Sequence, residues 1–170
     1  MPWSGSPRST EAGSALPTEH DLTDLADRIR RHFNDGCYAC GRANSIGLGV
    51  DGFRRDAGDV VADFTPTDEH RGGPGILHGG IAATALDEIL AWAGMVEERV
   101  MIVTATLEIR YRRPVQIDRG PIVLRGRLDE RNGRRLRLSG SLTVDGEEAA
   151  SASGLYVVVH DLDGLLAQTS

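Results

Sequence analysis

The sequence predicts an α+β domain in which one antiparallel sheet wraps around a single long central helix. Three observations carry this reading. Residues 79–97 form the one long helical stretch, and its centre is apolar almost all round, the pattern of a buried helix. Residues 101–158 read as four successive strands, opened by clear alternation over 101–112. Within them, Asn132-Gly133 and Asp145-Gly146 are strong hairpin signals.

Each element follows from local chemistry. Residues 1–20 are rich in Ser, Pro, Gly and Thr and are expected to lack fixed structure. Residues 21–45 are expected to hold an amphipathic helix and a connector. Leu22, Leu25, Ile29 and Phe33 mark the helix's apolar stripe, with Asp21 as its cap. The turn-rich stretch 34–45 carries both cysteines. Two strands are expected at 46–53 and 59–64, around a turn at 54–58. Residues 65–75 form a loop punctuated by Pro66, Gly72, Gly73, Pro74 and Gly75. After the long helix, strand 101–112 sets Ile102, Thr104, Thr106 and Glu108 on one face. Val103, Ala105, Leu107 and Ile109 take the other, and Pro114 ends the strand. Strands at 121–128, 135–144 and 149–158 complete a four-strand meander. The main domain spans 46–159, and 160–170 is expected to be a frayed tail. Such a sheet keeps an exposed edge, which pairing in a dimer would cover.

A chain of 170 residues, 40% hydrophobic and 26% charged, fits one globular domain. A net charge of −6 argues against nucleic acid as a partner, because that binding runs on basic surface. All 19 basic residues are arginine, which rules out Schiff-base chemistry on a lysine. The chain shows no signal-peptide pattern, and no apolar run approaches the ~20 residues of a membrane span. A cytoplasmic location without a membrane partner is therefore expected. Cys37 and Cys40 are the only cysteines. One Cys-x-x-Cys falls short of the four ligands of a structural zinc site, and a redox pair would want a βαβ context. The pair is read as structural, with metal and redox roles as alternatives; no cofactor or metal is expected.

The chemistry concentrates in Leu77-His78-Gly79-Gly80-Ile81-Ala82-Ala83-Thr84-Ala85-Leu86-Asp87-Glu88. A histidine and two glycines open a helix of small apolar residues. Two acids then stand in its middle, where burial makes charge costly. A helix N-terminus offers free N–H groups and positive dipole character, and glycine lets a carbonyl approach the backbone closely. The Gly80 N–H is thus the candidate oxyanion donor, with Gly79 beside it; the alternative is a tight loop-to-helix turn. Asp87 lies seven residues after Gly80, nearly two turns, and shares its face with Thr84 and Gly94. Glu88 is rotated about 100° toward Ile81, Ala85 and Trp92. One of the two acids is expected to meet solvent or a partner subunit.

This order of elements and three segments resemble hotdog-fold acyl-CoA thioesterases of the phenylacetate-pathway (PaaI-like) kind. The first segment is Cys37-Tyr38-Ala39-Cys40-Gly41-Arg42-Ala43-Asn44-Ser45-Ile46-Gly47-Leu48. The second is Leu77-His78-Gly79-Gly80 with an acid nine residues after the histidine. The third is the strand from Thr104 that ends in Tyr111-Arg112-Arg113-Pro114. The resemblance implies a hotdog fold and hydrolysis of an acyl-CoA or acyl-carrier-protein thioester. It gives Asp87 the role of general base or nucleophile and places His78 near the reacting group. It aligns Thr104 with a hydroxyl that in some members binds the attacking water.

Alternatives stand beside these assignments. His78 equally fits a structural hydrogen-bonding role. Strand alternation does not separate Thr104 from Thr106, and β-branched residues suit strands in any case. Arg110, Arg112 and Arg113 suit coenzyme A phosphates or solvated ion pairs. Tyr111 and Trp92 read as core or interface residues. Thr84 and Glu88 complete the candidate substrate contacts. Two further functions remain open: a hotdog hydratase or dehydratase recruiting His70, and a noncatalytic acyl-CoA binder. A homodimer or a dimer of dimers is the expected assembly.

Overall fold

The computed structural model describes residues 19–168. Apart from its last two residues, the segment expected to lack structure lies outside them. Helix α1 (Glu19–His32) begins ahead of Asp21, so that residue lies within the helix instead of capping it. Leu22, Leu25 and Ile29 are buried, as their spacing requires, while Phe33 falls past the helix end and is exposed. Arg30 is buried too. Its Nε donates to the Cys40 carbonyl at 2.9 Å, and one Nη donates to the Val50 carbonyl at 3.2 Å and to Asp51 at 2.9 Å. One guanidinium thereby fastens the connector and the first strand to α1.

Strands β1 (Asp51–Asp56) and β2 (Asp59–Phe64) form a hairpin. The first strand was expected from residue 46, but Gly49 takes φ +68°, which breaks an extended run, and Ile46 is 76% exposed. A 3-10 turn (Asp68–His70) and a small ribbon, β3 (Arg71–Gly73) with β4 (Ile76–Leu77), lead into α2 (Gly79–Glu98). Strands β5 (Val100–Tyr111), β6 (Ile122–Asn132), β7 (Arg135–Val144) and β8 (Glu147–Asp161) follow, and α3 (Leu162–Ala167) ends the fold.

The main sheet runs β1-β2-β6-β7-β8-β5, with every neighbour antiparallel. Only β6, β7 and β8 form a meander, and the expected fourth strand is displaced. The edge of β6 is taken by β2, with Val60 opposite Gly126 and Phe64 opposite Ile122. β5 instead lies along the far side of β8, from Val100 opposite Asp161 to Tyr111 opposite Ala150. The Asp145-Gly146 turn has both residues at positive φ, +53° and +78°, as a type I′ hairpin requires. The other hairpin turns one residue later than expected. Asn132 pairs with Arg135, and Gly133, at φ +59°, takes the first turn position.

The C-terminal tail is not frayed within the described residues. β8 continues to Asp161, whose carboxylate accepts the Gly164 N–H at 2.6 Å and caps α3. Leu162 and Leu166 then bury against the fold.

The core lies between α2 and the sheet. Ala85, Leu86, Ile89, Leu90 and Ala93 are buried with Leu124, Leu136, Leu138 and Leu142. Trp92 stacks on Phe53 at 4.0 Å between ring centroids. By length and composition alone, α2 is enough to cross a bilayer, contrary to the reading that no run approaches that length. Here the sheet supplies the apolar surroundings. The helix sits close because the strands below it carry glycine: a Cβ on Gly126 would stand 2.6 Å from the Ile89 carbonyl oxygen. Gly126→Ala must push α2 off the sheet. Urea unfolding should show a loss of about 1–3 kcal/mol, the range for overpacked cores; unchanged stability would contradict this packing.

Candidate active site

His78 is the N-cap of α2. Its Nδ1 accepts the Gly80 N–H at 2.9 Å, and its carbonyl accepts the N–H groups of Ile81 and Ala82 at 3.0 and 3.1 Å. The N–H expected to hold an oxyanion is therefore occupied by the histidine in this structure. Among the described residues, the N–H left without an acceptor at the helix start is that of Gly79. The Gly79 carbonyl accepts the Tyr111 hydroxyl at 2.7 Å, which pins the mouth of the helix to the end of β5.

The loop behind this mouth is held by His70. Its Nδ1 accepts the Thr67 N–H at 2.9 Å, its ring meets Phe64 edge-on at 5.3 Å, and its carbonyl accepts the His78 N–H at 2.9 Å. His70 is buried in this structural role, which removes the histidine that a hydratase reading would recruit.

Asp87 stands on the helix with one oxygen fully engaged. Oδ1 accepts the Thr104 hydroxyl at 2.8 Å and the Tyr156 hydroxyl at 2.7 Å. Oδ2 has no hydrogen-bond partner among the described residues. The register explains the convergence, since Thr104 lies opposite Tyr156 in the β5–β8 pair. The next paired residue on β5 is Thr106, opposite Leu155, so Ala105 is a bulge. The bulge turns Thr106 to the other sheet face and separates two threonines that alternation alone leaves together. Burial, and then the adjacent Asp87 carboxylate, hold the Tyr156 hydroxyl well above the usual tyrosine range, so it stays a donor. Tyr156 is absent from the sequence reading. Strand position marks it as a core aromatic, and its partner is remote in the chain. The Thr84 hydroxyl donates to the Gly80 carbonyl at 3.0 Å, a bond within the helix.

Beside Gly79 lies an apolar groove of about 380 Å³, bordered by Leu77, Ala82, Tyr111, Arg112, Arg113 and Val115. Both arginines are engaged with acids: Arg112 Nε donates to Glu148 at 2.6 Å, and Arg113 bonds Glu147 and the Val144 carbonyl. Arg110 leans on Glu108 at 3.3 Å. A larger hollow of about 500 Å³ is lined by Arg125, Arg127, Ser139 and Ser153, but neither Gly79 nor Asp87 borders it. The smaller groove reaches the helix mouth at Gly79, and Asp87 lines neither cavity.

Glu88 turns toward Trp92, as its rotation from Asp87 predicts, and away from the groove at Gly79 where a substrate contact was expected. It faces neither bulk solvent nor Asp87's partners. Its Oε1 accepts the Trp92 indole N–H at 2.7 Å, and its carboxylate lies within 4.8 Å of the Cys37 and Cys40 sulfurs. Burial pushes its pKa up to about 7, with the Cys37 charge adding to the effect. Cys37 is pushed down to about 5, chiefly by a hydrogen bond from Cys40 and further by backbone N–H groups, against the effect of burial. Its bond to Cys37, then burial, hold Cys40 well above the usual thiol range.

Residues 74–150 match the sequence profile of the thioesterase superfamily. Acyl-coenzyme A thioesterase THEM4 of Bos taurus is 32% identical over 130 residues, 68% of this chain and 53% of that protein, so the match spans about half the length of the curated relative. A solved thioesterase superfamily protein is similar with a TM-score of 0.66 and 26% identity, covering 81% of this chain and 75% of its own. A Ralstonia eutropha protein described as phenylacetic acid degradation-related gives a TM-score of 0.60 and 25% identity over 78% of this chain and 98% of its own. The fold is that of the hotdog thioesterases, and residues 74–150 carry the thioesterase-superfamily profile.

Proposed function

We propose that this protein hydrolyses an acyl-CoA or acyl-carrier-protein thioester at Asp87. One observation carries the reading: a helix-borne carboxylate has one oxygen fixed by two hydroxyls and the other unengaged. The helix that bears it opens, at the unpaired Gly79 N–H, beside an apolar groove. The thioester carbonyl would dock on that N–H, where the helix dipole favours the developing oxyanion. With Gly80 held by His78, the donor role passes to Gly79. Gly79 and Asp87 stand eight residues, about 12 Å, apart along α2, so the carboxylate that meets a carbonyl docked there would be that of a second copy of the chain. Its Oδ2 would take a proton from the attacking water, or attack the carbonyl carbon to give an anhydride that water cleaves. In both routes the C–S bond breaks, the thiolate leaves and a proton returns to it. Thr104 and Tyr156 act on Oδ1, fixing the rotamer that aims Oδ2.

The superfamily match and the bovine relative's acyl-coenzyme A activity support a CoA thioester, and the Ralstonia similarity supports an acyl group of the phenylacetate type. A CoA substrate fits the cytoplasmic location expected from the sequence. Arg112 and Arg113, at the groove's rim, suit its phosphates if they exchange their acid partners. Two copies would pair through β5, the sheet edge that carries Val103 at 51% and Tyr111 at 56% exposure.

Free-thiol release from acyl-CoAs of short, long and aryl chains should be catalysed by the wild type. Asp87→Asn should lower the rate by at least about a hundredfold while the fold is kept; a variant that retains wild-type turnover refutes the assignment. Tyr156→Phe should cost about tenfold to a hundredfold in kcat, through loss of alignment, with little change in KM. Sedimentation should show a wild-type dimer that Val103→Lys weakens; a monomeric wild type would rule out pairing at β5.

A further inference from the structure

We propose that Cys37, Cys40 and Glu88 bind a single zinc(II) ion, which ties the N-terminal connector to α2 on the side turned away from Asp87. The sequence reading found only two ligands and expected no metal. The fold supplies the third from a helix remote in the chain.

The donor atoms are already gathered, with the two sulfurs and a carboxylate oxygen all within 4.8 Å of one another. Tetrahedral zinc, with Zn–S of about 2.3 Å and Zn–O of about 2.1 Å, sets its donors roughly 3.5–4 Å apart. Small side-chain rotations close that difference.

The Cys-x-x-Cys turn is built to aim both sulfurs at one point. The Gly41 N–H donates to the Cys37 carbonyl at 2.9 Å and closes the turn. A Cβ at Gly41 would stand 2.3 Å from the Asp35 carbonyl oxygen and 2.6 Å from the Cys37 nitrogen, so only glycine closes the turn. The carboxylate is also pre-aimed. Trp92 holds Oε1 at 2.7 Å, and one carboxylate oxygen lies within 4.8 Å of both sulfurs. Such support of a ligand by a neighbouring donor is the usual companion of a metal site.

The cluster also has room for a fourth donor. The cluster borders a cavity of about 170 Å³ walled by Ile29, Phe33, Met95 and Met101, with space for a water or small anion as the fourth donor. Arg30 reaches the same cavity, but its guanidinium is bound to Cys40 O, Val50 O and Asp51. Two thiolates with one carboxylate favour zinc over the hard cations calcium and magnesium. Glu88 is rotated about 100° from Asp87, so the ion would brace the helix beside the carboxylate without touching it.

The test uses the full chain, reduced and stripped by chelator, titrated with cobalt(II) as a spectroscopic stand-in. One equivalent should bring thiolate-to-cobalt charge-transfer bands and intense tetrahedral d–d bands, both bleached by zinc. Zinc should also raise the Tm of the wild type. The bands should vanish in the Cys37→Ser, Cys40→Ser double variant; if that protein does not fold, Cys37→Ser alone carries the comparison. Glu88→Gln should keep sulfur-to-metal bands and bind zinc at least about tenfold more weakly. A folded, reduced wild type that takes up neither metal at low micromolar concentration overturns the site. So does a wild type isolated as a Cys37–Cys40 disulfide that binds no metal once reduced. Glu88→Gln with unaltered zinc affinity would also overturn it as stated.

Discussion

The packing of α2 onto the sheet at Gly126 and Gly140 is the constraint on which the rest depends. A helix apolar almost all round needs surroundings on every side, and close approach needs strands without side chains beneath it. A Cβ at Gly140 would stand 3.0 Å from Leu90 Cδ2 and 2.3 Å from the Arg125 carbonyl oxygen. Once seated, the helix brings Asp87 under β8 and β5. A carboxylate there is tolerable because Tyr156 and Thr104 satisfy one of its oxygens. The same arrangement that solves the burial problem leaves the second oxygen with a fixed aim. Stability and chemistry thus draw on the same two hydroxyls.

The helix mouth shows a comparable division of labour. Two successive glycines present two N–H groups, and His78 takes one of them as a cap while the other stays open. Tyr111 ties the carbonyl of the open glycine to the end of β5. The groove, the helix start and the edge strand therefore meet at one place.

What the sequence showed was what local chemistry controls. The long apolar helix, the existence of most strands and the Asp145-Gly146 turn follow from periodicity and from the needs of positive φ. The position of β5 beside β8 does not, because no local signal distinguishes it from a place beside β6. The bulge at Ala105 is equally silent in the residues, yet it decides that Thr104 and not Thr106 reaches Asp87. Asp87 was legible as a candidate, being an acid in the middle of an apolar helix. Tyr156 was not, since a strand tyrosine looks like any core aromatic until its partner is placed. The meeting of Glu88 with Cys37 and Cys40 was not legible for the same reason: the cysteines come from a connector whose path depends on Arg30. The tail beyond 160 was read as frayed because its cap, Asp161 to Gly164, is too short a signal to outweigh position.

The most direct measurement is the amide NMR spectrum of the full chain, titrated with an acyl-CoA analogue whose thioester sulfur is replaced by carbon, so that the ketone docks but is not cleaved. The Gly79 N–H should shift most, with Ala82 and Tyr111 following, while Gly80 keeps its bond to His78 and the Arg125 and Arg127 amides stay still. Shifts confined to the Arg125–Arg127 hollow, or a silent Gly79 beside a displaced Gly80, would contradict the site described.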